Sequence, residues 1–410
     1  MIPYADAAKF LEDSLDKQLV IIVDSTQQRI TNADIIGESL TITESLCSEP
    51  NLYFGAVEPS SIKFTVRNDI PKLYSKWITV QITPHGAQTA FTIGHYRVWF
   101  EKGSADRTTR EVTAYDGMYK ILQNTYKKWY NSLWENRDSL TMKQFRDAYF
   151  ARLIEKHPWL SVEQTALPND TVEIVKSERI PRISGKDILS AICEMNGVFG
   201  HLGRDNVFRF IKLSNSNTTY PIATSLTIGV DYEDYVTNTV DRIEVLSPSG
   251  DVLGDAGEDE GDAENKYVIQ NNFLIKGLGD DDTAKDTAEF IAEHLLTAIS
   301  GISFIPVDAE IKGNPCYEVG DRIMLISNNT ELRTFILERE MTGIQSLRDT
   351  FAAEGEGSYP DASNTISSKI QDANSNTESV AKNSGKGGGY IVAAYNDTVV
   401  VEYTIDGQDY

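Results

Sequence analysis

The feature that most constrains this chain is a two-residue alternation of apolar and polar side chains that recurs through its first 115 residues. In 61–66, Ile62, Phe64 and Val66 alternate with Ser61, Lys63 and Thr65. Successive side chains of a strand point to opposite faces, so one face meets a core and the other meets water. Residues 77–82 repeat the theme, with Ile78, Val80 and Ile82 against Trp77, Thr79 and Gln81, and further strand-like runs lie at 19–23, 40–43 and 91–100. Residues 1–115 are therefore expected to form a small β-rich unit that begins with a short helix over 3–13 marked by Ala7, Phe10 and Leu11.

From Tyr115 the period lengthens. Tyr119, Leu122 and Tyr126, then Phe145, Tyr149, Leu153 and Ile154, recur at three- and four-residue intervals up to His157-Pro158, where proline stops the helix. Thr141 is placed to cap the second helical run. A further helix over 185–195 has Ser184 as N-cap, Asp187 in its first turn, a buried face of Ile188, Leu189 and Ile192, and Asn196-Gly197 as terminator. A strand follows at 207–210, so residues 116–220 read as a mixed α/β unit.

Residues 221–350 return to strands, clearest at 242–246, then 304–311, 322–326 and 334–341. A helix runs between them, with Ala284, Ala288, Ile291, Leu295 and Ala298 on one face and Asp282 or Thr283 as cap. Within this unit 249–265 holds seven acids and no base before Lys266, which predicts a solvated or mobile loop. After Phe351 a thin stripe, Ile366, Ile370, Ala373, Thr377 and Val380, suggests a weak helix that needs a partner to bury it. Gly385-Lys386-Gly387-Gly388-Gly389 breaks it, and 390–405 reads as a strand pair. The segmentation is thus 1–115, 116–220, 221–350, a helical stripe with glycine linker over 351–389, and a β segment over 390–410.

At 410 residues several cores are expected, and 19 Tyr, 15 Phe and 5 Trp suit packed β structure. The formal charge of −23 opposes tight binding to a phosphate backbone, though not a duct through which a polyanion passes without sticking. Cys47, Cys193 and Cys316 are too scattered for a disulfide framework, which points to synthesis in a reducing compartment. No basic-then-apolar leader is expected at the N-terminus, and no apolar run approaches the roughly 18 residues of a bilayer crossing.

Catalytic patterns are lacking. His85, His95, His157, His201 and His294 form no HExxH or His/Cys cluster, and neighbours such as Glu293-His294 point apart on a helix. Gly254-Asp255-Ala256-Gly257 lacks the spacing of a calcium hand. No catalytic residue, cofactor site or metal site is assigned. Two alternatives stay open: a sugar-stacking platform at Trp129, Tyr130 and Trp134, whose helical spacing equally fits a core stripe, and a scattered carboxylate pair of a cell-wall hydrolase.

The most informative cluster is Gly313-Asn314-Pro315-Cys316-Tyr317-Glu318-Val319-Gly320-Asp321. Asn-Pro enforces an extended entry, and Gly320-Asp321 makes a tight turn into the 322–326 strand. Here the chain resembles the hub or tail-tip proteins of long-tailed phages and contractile injection machines, whose habitual pattern of Gly-Asn-Pro, acid and Gly-Asp is matched by Gly313, Asn314, Pro315, Glu318, Gly320 and Asp321. Residues 51–66 with Phe54-Gly55, 112–118, 184–210 and 267–274 agree in the same order.

The resemblance implies an α+β, mainly β fold with two small β-barrel-like tube domains and an intervening α/β domain. It implies a homotrimer in a virion or phage-like particle, seated on a tail tube or distal tail protein. The trimer would join that tube to a spike, fibre or lysin protein, around a channel that passes DNA or an effector without specific binding. The chain departs from lysin-bearing relatives after 351, where no enzymatic domain is expected; the 366–380 stripe is a candidate trimer or partner contact.

Overall fold

The alternating runs fold as antiparallel strands: β1 (Gln18–Val23), β2 (Gln28–Thr31), β3 (Thr41–Ser45), β4 (Ser61–Arg67), β5 (Trp77–Thr83), β6 (Phe91–Gly103) and β7 (Thr109–Tyr115). The computed structural model describes residue 10, residues 17–355 other than 48–51, 85, 88, 178–181, 260, 264, 271, 280 and 328–329, and the backbone of two paired strands at 390–395 and 398–402. The stripe from Ile366 to Val380, the glycine run and most of the expected helix over 3–13 lie outside these residues.

Burial follows parity. Ile62, Phe64 and Val66 of β4 and Ile78, Val80 and Ile82 of β5 point inward, and they share one core with Leu19, Ile21 and Val23 of β1. The chain after β2 returns to β4 through a bridge between Ile35 and Val66, and the Ile36 amide donates to the Thr65 carbonyl, so the sheet curls around that core.

The middle of the chain carries α1 (Met118–Gln123), α2 (Lys127–Leu133), β8 (Ser139–Thr141), α3 (Met142–Lys156), β9 (Ser161–Val162), β10 (Glu173–Val175), α4 (Gly185–Glu194), β11 (Phe199–Leu202) and β12 (Val207–Ile211). Both expected caps form as reciprocal capping boxes, Thr141 with Gln144 and Ser184 with Asp187.

The last part holds β13 (Thr219–Pro221), β14 (Thr227–Tyr232), β15 (Arg242–Leu246), β16 (Val252–Gly257), β17 (Lys266–Ile269), α5 (Asp282–Ile299), β18 (Val307–Lys312), β19 (Arg322–Ser327), β20 (Thr330–Phe335), β21 (Glu338–Thr342) and β22 (Arg348–Ala353). Among the described residues the largest sheet has eleven strands in the order β14-β18-β22-β21-β3-β4-β7-β6-β5-β1-β2. It is continuous because β3 pairs with β4 on one side and with β21 on the other. The architecture is therefore α+β and mainly β.

Three expectations are corrected. The acidic segment 249–265 is not a plain loop: β16 pairs with β15, and Leu253 and Gly254 are buried. Its missing base comes from a neighbouring strand, because Arg242 holds Asp255 at 2.8 Å. The run 334–341 is two strands, broken at Ile336-Leu337, where the backbone leaves β20 to meet β3 through the Leu46 amide and the Leu337 carbonyl. The cap of α5 is Asp281, whose carboxylate accepts the Ala284 amide at 2.8 Å, one residue earlier than the sequence suggested.

Candidate functional site

The turn singled out in the sequence lies at the meeting point of the three chain segments, and its carbonyl groups explain why. Asn314 is fully buried; its amide donates to Asp349 Oδ2 at 2.6 Å, and its Oδ1 accepts the Cys316 amide at 3.1 Å, which closes the turn that Pro315 enters. The Glu318 amide donates to Asp321 Oδ2 at 2.9 Å. Gly320 sits at φ +90°, where a side chain is strained, and a Cβ there would lie 2.6 Å from Ile211 Cγ2. Gly313 abuts β22, with the position of a Cβ 2.8 Å from the Arg348 amide nitrogen.

Two arginines read this turn. Arg339 on β21 uses all five of its N–H groups: Nε and Nη2 on Asp349 at 3.0 Å each, Nη2 also on the Asn314 carbonyl at 2.9 Å, and Nη1 on Glu44 Oε2 at 3.2 Å and on the Tyr317 carbonyl. Arg204, in the turn between β11 and β12, grips Glu44 of β3 in a fork, at 3.0 and 2.6 Å, and also donates to the Pro315 and Tyr317 carbonyls. Glu44, Arg204, Arg339 and Asp349 are all buried. One ionic knot thus ties the N-terminal strands, the α/β segment and the C-terminal strands together.

The charges respond to pH in opposite senses. Burial pushes the Glu44 carboxyl up, but the guanidiniums of Arg204 and Arg339 overcome it and hold it at about 2. Its contribution to stability is complete above the unfolded value of about 4.3 and is lost as pH falls through 2. Burial raises Asp116 to about 7 against the Ser60 and Met118 amides that it accepts, and raises Asp321 to about 6. Their share is complete near pH 4 and drains as pH rises through 6 and 7. Unfolding free energy is expected to peak near pH 4. Denaturant titrations at pH 2, 4 and 8 check this, and Glu44→Gln is expected to remove about 3 kcal/mol of the rise between pH 2 and 4.

The other sequence candidates are not brought to this place. Tyr130 and Trp134 are buried and Trp129 is half-buried, in an aromatic core with Phe145, Tyr149 and Phe273, so no exposed sugar platform exists there. His294 contacts Asn169 at 3.3 Å, and the three cysteines are free and buried. Among the described residues no group of three or more His, Cys, Asp or Glu is placed to hold a metal, and no helix is long and apolar enough to cross a membrane.

The fold thus fuses two β-rich segments through β3 and ties an α/β segment to both at the 313–321 turn. The tail protein from Neisseria meningitidis MC58 shares it, at 14% identity over 82% of this chain and 96% of that one, with a TM-score of 0.51. Similar in outline are the 43 kDa tail protein of prophage MuSo2 from Shewanella oneidensis, at 10% identity over 82% and 97% with a TM-score of 0.49, and prophage tail protein gp18 from Listeria monocytogenes EGD-e, at 12% identity over 82% and 94% with a TM-score of 0.47. No family model and no curated protein matches the sequence.

Proposed function

We propose that this chain is a structural hub of a phage or phage-like tail tip or baseplate. The observation that carries this reading is the fold shared with the Neisseria tail protein over 82% of this chain and 96% of that one. In this reading the hub is a homotrimer in the virion or particle, and it joins a tail tube or distal tail protein to a spike, fibre or lysin protein around a central channel. The two β-rich parts, 1–115 and 221–350, are its tube domains, each closing into a barrel, and 116–220 lies to the outside or distal side.

Physical support comes from stiffness and charge. Three segments locked through a buried ionic knot and one continuous sheet make a body suited to transmitting load. A formal charge of −23 suits a wall past which DNA or an acidic effector slides without adhering. The stripe Ile366, Ile370, Ala373, Thr377 and Val380 is the proposed helper of trimerisation or anchor of a distal partner.

Solution mass by light scattering, followed by low-resolution imaging, tests the reading. A trimeric ring with an open centre is the expected result, and a single-chain particle with no affinity for tail-tube protein overturns it. Deleting 360–410 is expected to weaken either self-association or partner binding; a truncated chain that retains both defeats the role given to the stripe.

A further inference from the structure

The eleven-stranded sheet is open at β14. This strand pairs with β18 on one side, and among the described residues no strand lies on the other. None of its six residues is buried, whereas Val307, Ala309 and Ile311 of β18 are. Val230 and Tyr232 reach the main core but stay half-buried, as side chains of a strand with a single neighbour do. The register with β18 shifts between Thr227 and Gly229, and Ile228, the extra residue of that bulge, is 50% exposed. Beyond Tyr232 the chain prolongs the edge: the Glu233 amide donates to the Pro306 carbonyl at 3.1 Å and the Thr237 amide to the Phe304 carbonyl at 2.8 Å. Tyr235 and Val236 are exposed there, so residues 228–236 carry three of the ten exposed large apolar side chains among the described residues. An edge of this kind is a template for a further strand.

The course of the chain indicates which strand. It leaves β22 at Gly355, whose carbonyl accepts the Tyr235 hydroxyl at 3.0 Å, so the departure takes place at this edge. β22 is two places from β14 in the sheet and eight from β2, the opposite end, which has only four residues, with Ile30 fully buried. After a further 34 residues, 356–389, comes β23 (Tyr390–Tyr395), paired with β24 (Thr398–Glu402). Among the described residues these two strands pair only with each other, and a lone hairpin is marginal in water. Their sequences, Tyr-Ile-Val-Ala-Ala-Tyr and Thr-Val-Val-Val-Glu, are apolar at consecutive positions, the pattern of strands that belong inside a larger sheet. β23 has no charged residue and can lie beside Asp231 and Glu233 without repulsion, while β24 ends in Glu402. Reach is ample, since 34 residues span about 51 Å even at a helical rise, against roughly 10 Å from β22 to β14.

We infer that β23 adds to the open edge at residues 229–236 of its own chain, with β24 outside it as the new end strand. Main-chain hydrogen bonds between edge and β23 supply the affinity, the means by which extended segments prolong a sheet. The tether keeps the hairpin at high local concentration, which favours this edge over that of another copy. The docking goes beyond the hub reading and does not depend on it.

Amide exchange of the full chain tests it. Val392→Pro places a residue without a donor in a strand that would have neighbours on both sides. It is expected to speed exchange of the 227–236 amides about tenfold or more, with β4 and β5 unchanged as the sign that the body stays folded. Equal exchange at 227–236 in the two proteins overturns the inference. Gly229→Cys with Ala394→Cys, joined by a short bifunctional maleimide, reads the location: a cross-linked product with the mass of one chain is expected. Absence of a product, or products of two-chain mass alone, overturns the assignment, the latter because the edge would then belong to a second copy.

Discussion

Replacing Arg339 by methionine is expected to lower the unfolding free energy by about 3–5 kcal/mol, the usual loss when one member of a buried ionic cluster is removed. Methionine fills similar space, so cavity formation contributes little. The cost arises because Asp349 loses both of its guanidinium bonds, Glu44 keeps only Arg204, and the Asn314 and Tyr317 carbonyls lose donors in a site closed to water. Chemical denaturation at pH 7 measures it. Combining Arg339→Met with Glu44→Gln should cost less than the two single losses added, because both act on one network. Strict additivity, or a loss below about 1 kcal/mol, would show that the knot is no more than a set of independent, screened pairs.

Gly254→Val is expected to cost about 3 kcal/mol, at the upper end of overpacking penalties. A Cβ at this position would lie 2.3 Å from the Glu289 amide nitrogen and 2.8 Å from Ala288 Cβ, so α5 rests directly on the backbone of β16. The obstructing atoms include helix backbone, which cannot swing aside. Val252, half-exposed at the start of the same strand, provides the contrast: Val252→Ser should change stability by no more than about 0.5 kcal/mol. Thermal or denaturant unfolding of the two variants separates a packed strand from a solvated acidic loop, for which both would be neutral.

Much of the fold was legible from the sequence because its strands obey parity over several residues. β4 and β5 match the alternation almost residue for residue, and the Thr141 and Ser184 caps fall where a short polar side chain precedes a helical period. Segment 249–265 reads as a loop because its acids are balanced from outside: Arg242 lies on the adjacent strand, and composition counted along the chain cannot register a cross-strand partner. The 313–321 turn is visible through its Asn-Pro and Gly-Asp pairs, but no local motif points to the four charges that hold it. They had left a mark. Glu44 follows Ile42, Arg339 precedes Met341 and Asp349 precedes Phe351, each two residues away, so all three occupy core-facing positions of otherwise apolar strand faces. A charged residue on the inward parity of a strand requires a buried counter-ion, and that rule would have linked positions that no local motif connects. Ile228 shows the converse, since the bulge that turns it outward has no simple sequence signature.

The β3–β21 ladder also dictates when this protein can finish folding. Glu44 and Arg339 are 295 residues apart, and β3 has only one neighbour until the far end of the chain is available. During synthesis the N-terminal sheet must therefore wait with an open flank and a carboxylate lacking half of its cations until β21 emerges. Assembly of the mature molecule should consequently be slow and sensitive to C-terminal truncation short of about residue 350, because the closing contact joins residues 295 positions apart.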